Sequence, residues 1–179
     1  MPDHPLDSAD PERLAAFDEH RGLLFSIAYR MLGSVADAED VLQDGFLRWL
    51  QAAGDDIRSP KAFLITIVTR LSINHLQSAR VQREEYVGQW LPEPLLTGEA
   101  SDPADLLQAG ESLSIAFLVL LERLNPTERA VFLLREVFDY DYAEVAVALG
   151  RSEASCRQIL RRAKQHVRAG RPRFRASAE

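Results

Sequence analysis

The sequence predicts an all-α protein made of two small helical domains, a three-helix N-terminal one and a four-helix C-terminal one, joined by a proline-containing linker. Three observations carry that prediction. Apolar residues recur at helical spacing through most of the chain, and convincing strand alternation is absent. A capping residue stands directly before proline at Asp10-Pro11, Ser59-Pro60, Asp102-Pro103 and Asn125-Pro126. Such a pair places a side-chain acceptor at the N-cap and proline at the first helical position, where its missing N–H costs little. Finally, YVGQWLPEPLLTGE at residues 86–99 cannot continue a helix, because proline fixes its own backbone and pushes the preceding residue towards extended conformations.

The elements follow in order. Residues 1–10 are acidic and proline-containing and predict a disordered tail, unlike a signal peptide. A first helix over about 11–32 offers Leu14, Phe17, Leu24, Phe25, Ala28 and Leu32 to a core. A second over about 35–53 offers Val35, Ala38, Val41, Leu42, Phe46 and Trp49, with Ser34 and Asp37 at capping-box spacing. A third over about 60–82 offers Phe63, Leu64, Ile67, Val68, Leu71 and Leu76. These three stripes can share one core, closing a domain at residues 11–83. The linker, 84–102, carries Trp90, Leu91, Pro92 and Pro94. It is too apolar for a purely solvated tether. Helices over about 103–124, 126–138, 142–149 and 153–169 fill the second domain, 103–170, and a basic tail occupies 171–179. Gly33, Gly54, Gly150 and Gly170 stand where helices should stop.

Charge is unevenly spread. The chain is acidic overall, at −6, yet residues 61–83 hold four basic and no acidic side chains, and residues 151–175 hold nine basic against one acidic. Each basic block closes one half of the chain, and clustered basic stripes are the usual footprint of phosphate binding. The acidic halves and basic ends suggest that the two halves could associate and hide the basic surfaces. A single cysteine, Cys156, excludes an internal disulfide and fits a reducing cytoplasm. No stretch approaches the ~20 apolar residues of a membrane span. Histidines 4, 20, 75 and 166 are scattered, and neither a glycine-rich phosphate loop nor a metal-ligand spacing occurs. Catalytic residues, metal ligands and cofactors are therefore not expected, and His166 reads as a helix-end cation.

The most informative stretch is DYAEVAVALGRSEASCRQILRRAKQHVR. A capped helix ends at Gly150, a tight turn follows, and Ser152 caps a second helix, which is helix-turn-helix organisation. Val145, Ala146 and Leu149 should pack against Cys156, Ile159, Leu160 and Ala163. The opposite side presents Ser155, Arg157, Gln158, Arg161, Arg162 and Gln165. Arginine can bridge guanine O6 and N7, glutamine can pair with adenine, and other arginines hold phosphates.

A second motif, ADAEDVLQDGFLRW, puts Asp37, Asp40 and Asp44 on one helical face beside Gln43. It reads either as a solvated acidic face or as a docking face for a basic partner. DAEDVLQDGFLRW resembles the polymerase-docking segment of bacterial sigma factors of the sigma-70 type. SPKAFLITIVTRLSINHLQSAR resembles their minus-ten-reading segment, and LERLNPTERAVFLLREVFDYDYAEVAVALGRSEASCRQILRRA their fourth region, which reads the minus-thirty-five element. Two such regions on a short linker resemble the extracytoplasmic-function group. The linker is similar to that of a subgroup with a WLPEP signature and a SnoaL-like domain after the fourth region, a domain absent from this 179-residue sequence.

The resemblance implies an alternative sigma factor that binds core RNA polymerase and promoter DNA, with an anti-sigma factor or regulatory domain as a further partner. It implies that Asp40, Gln43 and Asp44 dock on the polymerase clamp helices, with Asp37 on the same face. Residues 51–59 would help to form a pocket for a flipped-out base. Lys61, Arg70, Asn74, His75 and Arg80 would face promoter DNA near the melting point, and Arg157, Gln158, Arg161 and Arg162, with Ser155, would read the upstream element. Trp90 and Leu91 would either dock on a protein surface or pack back onto the N-terminal core. The alternative reading is a stand-alone helix-turn-helix regulator that binds operators as a dimer. It leaves the acidic motif and the linker without a role.

Overall fold

The computed structural model describes residues 11–52, 57–83 and 121–169, and every regular element in them is helical. These are α1 (Pro11–Leu32), α2 (Val35–Gln51), α3 (Pro60–Arg83), α4 (Pro126–Phe132) running on into a π-helical turn (Leu133–Val137), α5 (Tyr142–Leu149) and α6 (Glu153–Arg168). The N-terminal tail, most of the 103–124 helix, the linker with Trp90, Leu91, Pro92 and Pro94, and the basic tail lie outside the described residues.

The caps form as the residue types dictate. Ser34 Oγ accepts the Asp37 N–H at 3.2 Å, Ser59 Oγ the Ala62 N–H at 3.3 Å, and Ser152 Oγ the Ser155 N–H at 3.2 Å. Asn125 with Glu128, and Asp141 with Glu144, close full capping boxes that start α4 and α5. Each satisfies two backbone donors that a helix start otherwise leaves unpaired.

In the N-terminal half, Phe17, Leu24, Ile27, Ala28, Met31 and Leu32 of α1 are buried with Ala38, Val41, Leu42 and Trp49 of α2 and Leu64, Ile65, Val68 and Leu71 of α3. Trp49 is clasped at both ends. Its indole N–H donates to the Arg13 carbonyl at 2.9 Å, Arg13 Nη1 donates back to the Trp49 carbonyl at 2.6 Å, and the Phe63 ring lies 5.8 Å away. Gly45 lets α2 approach α3 closely, since a Cβ there would sit 3.4 Å from Val68 Cγ2. Leu14 departs from the expected core, at 36% exposed.

In the C-terminal half, Val145, Ala146 and Ala148 of α5 and Cys156, Ile159, Leu160 and Ala163 of α6 are buried, while Leu149 is half-buried. The turn between them needs Gly150 at φ +61°, with its N–H on the Val147 carbonyl and the Arg151 N–H on the Ala146 carbonyl. That is the left-handed helix ending in which glycine avoids a Cβ clash.

The expected helix over 126–138 is not a uniform α-helix. It widens at Leu133–Val137, where the Phe138 N–H reaches the Leu133 carbonyl five residues back. The wider turn keeps adjacent Leu133 and Leu134 both in the core, and such π segments are local devices inside otherwise α-helical runs.

The two halves pack against each other, α3 on α5 above all, and their buried side chains form one continuous cluster. Four basic residues reinforce the seam. Arg129, buried, donates to the Met31 carbonyl; Arg70 donates to the carbonyls of Ala148 and Val147; Lys61 lies over the Tyr140 ring and Arg30 over Phe138. The halves thus associate, as the sequence suggests. Apolar side chains make most of the seam, and its arginines donate to backbone carbonyls and lie over rings across it.

Candidate polymerase and nucleic-acid interfaces

The face of α2 opposite the core is set by its periodicity. With Val41, Leu42 and Gly45 buried, Asp40, Gln43 and Asp44 project to solvent. Neighbouring Glu39 is engaged by Arg21 at 3.1 Å. Asp37 sits apart from its acidic companions. It is half-buried at the start of the helix, with its carboxylate 3.5 Å from His75 Nε2 on α3. That contact joins one residue expected at the polymerase with one expected at the DNA. Leu47 was not singled out from the sequence, yet it is 44% exposed. It lies three residues after Asp44 and seven after Asp40, so it adds an apolar contact to the acidic face. Its signal was there: a leucine at helical spacing on the charged side of the stripe.

On α3, Lys61, Arg70 and Asn74 are exposed and His75 is half-buried. They do not form one free surface. The stripe Ala62, Ile65, Thr66 and Arg70 is turned towards α5. There, Ala62, Ile65 and Thr66 line an open cavity of about 240 Å³ with Leu134, Tyr140, Ala143, Glu144, Val145, Val147 and Ala148. Arg70 Nε donates to the Ala148 carbonyl at 3.0 Å and Nη2 to the Val147 carbonyl at 3.3 Å. The Lys61 ammonium lies 5.7 Å from the centre of the Tyr140 ring. The side chain of Arg80 lies outside the described residues, as do residues 53–56 of the loop expected to receive a base.

On α6 the expected division holds. Cys156, Ile159, Leu160 and Ala163 face inwards, while Arg157, Gln158, Arg161, Arg162 and Gln165 are exposed and Ser155 is half-buried. Arg157 is held in place by Glu153 Oε2 at 2.6 Å and by the Tyr142 ring, whose centre is 4.9 Å from the guanidinium carbon. Burial raises the Cys156 thiol pKa, Arg151 nearby opposes the rise, and the thiol packs as a small core group. His166 does more than end a helix: its Nδ1 is 3.2 Å from Glu128 Oε2, the same oxygen that receives the Asn125 N–H. Sequence reasoning also missed Arg129. Burial lowers its pKa to about 10, against the raising effect of Glu122, so it stays charged at neutral pH.

Among the described residues no group of three or more His, Cys, Asp or Glu side chains could hold a metal, and no helix is long and apolar enough to cross a membrane.

Comparison with known proteins places this geometry. The model for sigma-70 region 2 matches residues 16–81, and that for sigma-70 region 4 matches residues 114–167. The chain is 45% identical over 157 residues to the ECF RNA polymerase sigma factor SigJ of Mycobacterium tuberculosis, covering 87% of this chain and 50% of SigJ. It is 32% identical over 157 residues to the ECF RNA polymerase sigma factor SigL of the same species, covering 86% of this chain and 85% of SigL. The crystal structure of M. tuberculosis SigJ superposes with a TM-score of 0.65 at 43% identity, over 86% of this chain and 52% of that one. The chain thus spans about half the length of SigJ, but most of SigL. Region 2 on α1–α3, region 4 on α4–α6, and a relative matched over most of both chains lead to one conclusion: this chain belongs to the extracytoplasmic-function group of sigma-70-type sigma factors.

Proposed function

We propose that the protein is an alternative sigma factor, a non-catalytic subunit that binds core RNA polymerase in the cytoplasm and directs it to specific promoters. The observation that carries the reading is the presence of two separate exposed faces on one chain of this family: acidic on α2, arginine-rich on α6. Residues 11–83 then serve as the polymerase-docking and minus-ten-reading unit. Residues 103–170 serve as the minus-thirty-five-reading unit, and residues 84–102 join them. Asp40, Gln43, Asp44 and Leu47 dock, with Asp37 held by His75 at the margin of the face. Lys61, Arg70, Asn74, His75 and Arg80 meet promoter DNA near the melting point. Ser155, Arg157, Gln158, Arg161 and Arg162 meet the upstream element. An anti-sigma factor or regulatory domain is a further partner of this reading, and Trp90 and Leu91 are its linker anchor.

The test is reconstitution with bacterial core polymerase: size-exclusion chromatography should yield one complex, and separate peaks would refute the reading. Within that complex, Arg161→Ala with Arg162→Ala should weaken binding to selected promoter DNA. The same pair should flatten its salt dependence by roughly one unit of log–log slope for each phosphate no longer neutralised. A filter-binding series over salt concentration measures both. An unchanged slope would remove these arginines from the DNA surface.

A further inference from the structure

The contact between α2 and α3 beside the docking face points to a positioning residue: we propose that Asp37 does not bind the polymerase but holds His75 in place for promoter DNA. Ser34 caps α2 by accepting the Asp37 N–H at 3.2 Å, so Asp37 stands third in the helix. The third residue of α4 and of α5 is a glutamate, and each turns its carboxylate back to the capping residue. Glu128 accepts the Asn125 N–H at 3.1 Å, and Glu144 accepts the Asp141 N–H at 2.9 Å. That reciprocal bond is the usual use of an acid at this position. The start of α2 carries only the forward half of the pattern. Its acid reaches across to α3 instead, with Oδ1 of Asp37 3.5 Å from His75 Nε2, and among the described residues the carboxylate has no other partner.

The consequence rests on the proposed function, which puts His75 at the promoter. His75 follows the exposed Asn74, and both side chains of the pair are half-buried, so the ring lies at the rim where α2 meets the DNA side of α3. An imidazole has two nitrogens, and a contact on one decides which is left for another partner. With Nε2 towards Asp37, Nδ1 is left for DNA. A lone carboxylate at this rim would only repel phosphate, whereas one set against the imidazole fixes the ring. Asp40 and Asp44, about one and two turns further along α2, are exposed and have no such partner among the described residues. The acidic residues of α2 therefore divide: Asp40 and Asp44 serve the polymerase, and Asp37 serves His75.

The test uses the whole chain bound to core polymerase, with a promoter fragment selected by the wild-type complex. His75→Ala should weaken promoter binding about tenfold, the scale of one hydrogen bond to a charged group. Asp37→Ala should weaken it about two- to fivefold, the scale of a partly exposed ion pair. The two losses should not add, so the double variant should bind like His75→Ala alone. Affinity for core polymerase should stay at the wild-type value in all three. Asp37→Glu separates positioning from helix capping. Glutamate there can close the cap as Glu128 and Glu144 do, so the thermal midpoint should hold or rise while promoter affinity falls as in Asp37→Ala. Wild-type promoter affinity in Asp37→Glu would return Asp37 to a capping role. Additive losses, tighter promoter binding by Asp37→Ala, or weaker polymerase binding by it would equally overturn the proposal. Additive losses in a complex that forms would sink the positioning role alone, whereas no complex at all would sink the sigma-factor reading and this role with it.

Discussion

Exchanging Asp40 and Asp44 together for arginine should abolish co-elution with bacterial core RNA polymerase, with the thermal midpoint held within about 2 °C of wild type. Both carboxylates are exposed, and neither makes a hydrogen bond or ion pair with a described residue, so the folded chain gives up little. Arginine is the better helix former at an interior position. The partner surface expected for this face is basic, so each exchange removes an attraction and adds a repulsion. Close interfacial charge pairs couple by roughly 1.5–7 kcal/mol. Two reversals therefore carry a micromolar complex beyond what chromatography detects. Retained co-elution, with the variant folded, would move the docking surface off α2.

Replacing Arg129 with leucine should have the largest effect on stability, about 3–5 kcal/mol from the loss of two hydrogen bonds of a charged group, or roughly 10 °C in the unfolding midpoint. Arg129 Nε donates to the Leu121 carbonyl at 3.0 Å and Nη1 donates to the Met31 carbonyl in the other half. The guanidinium is buried and charged, with a pKa of about 10. Leucine would remove the charged donor from the Met31 carbonyl and leave the Leu121 carbonyl with only the Leu124 N–H, and each hydrogen bond from a charged group contributes about 1.5–3 kcal/mol. Arg129→Lys should rescue little, because a single ammonium cannot reproduce a planar fork with two separated acceptors. Urea unfolding measures the effect. A change below about 1 kcal/mol would mean that water replaces the side chain at both carbonyls.

Much of this architecture is written in residue types. Ser34, Ser59, Asn125, Asp141 and Ser152 cap the helices that their positions predict, and of the left-handed positions among the described residues Gly33 and Gly150 were legible while Asp139, at φ +56°, was not. The inward face of α6 follows from its apolar spacing alone. What could not be read lies where the partner is backbone. Arg70 and Arg129 both donate to carbonyls in the opposite half, and a carbonyl carries no residue identity, so neither contact leaves a pattern in the sequence. The π-helical turn at Leu133–Val137 is hidden similarly, since Leu133 and Leu134 fit an ordinary apolar stripe. Arg70 was legible as a basic residue on a DNA-facing helix, but its commitment to α5 depends on how the halves meet. How the halves meet could not be read from net charge, because the continuous apolar cluster that joins them has no charge signature.

The most direct test of promoter direction is a footprint on DNA fragments selected from a genomic library by the protein together with core polymerase. A sigma factor of this build should give two protected segments about 25 base pairs apart, with the downstream one melted, and no such protection from either component alone. A symmetric footprint from the protein without polymerase would contradict that function and identify a stand-alone helix-turn-helix regulator.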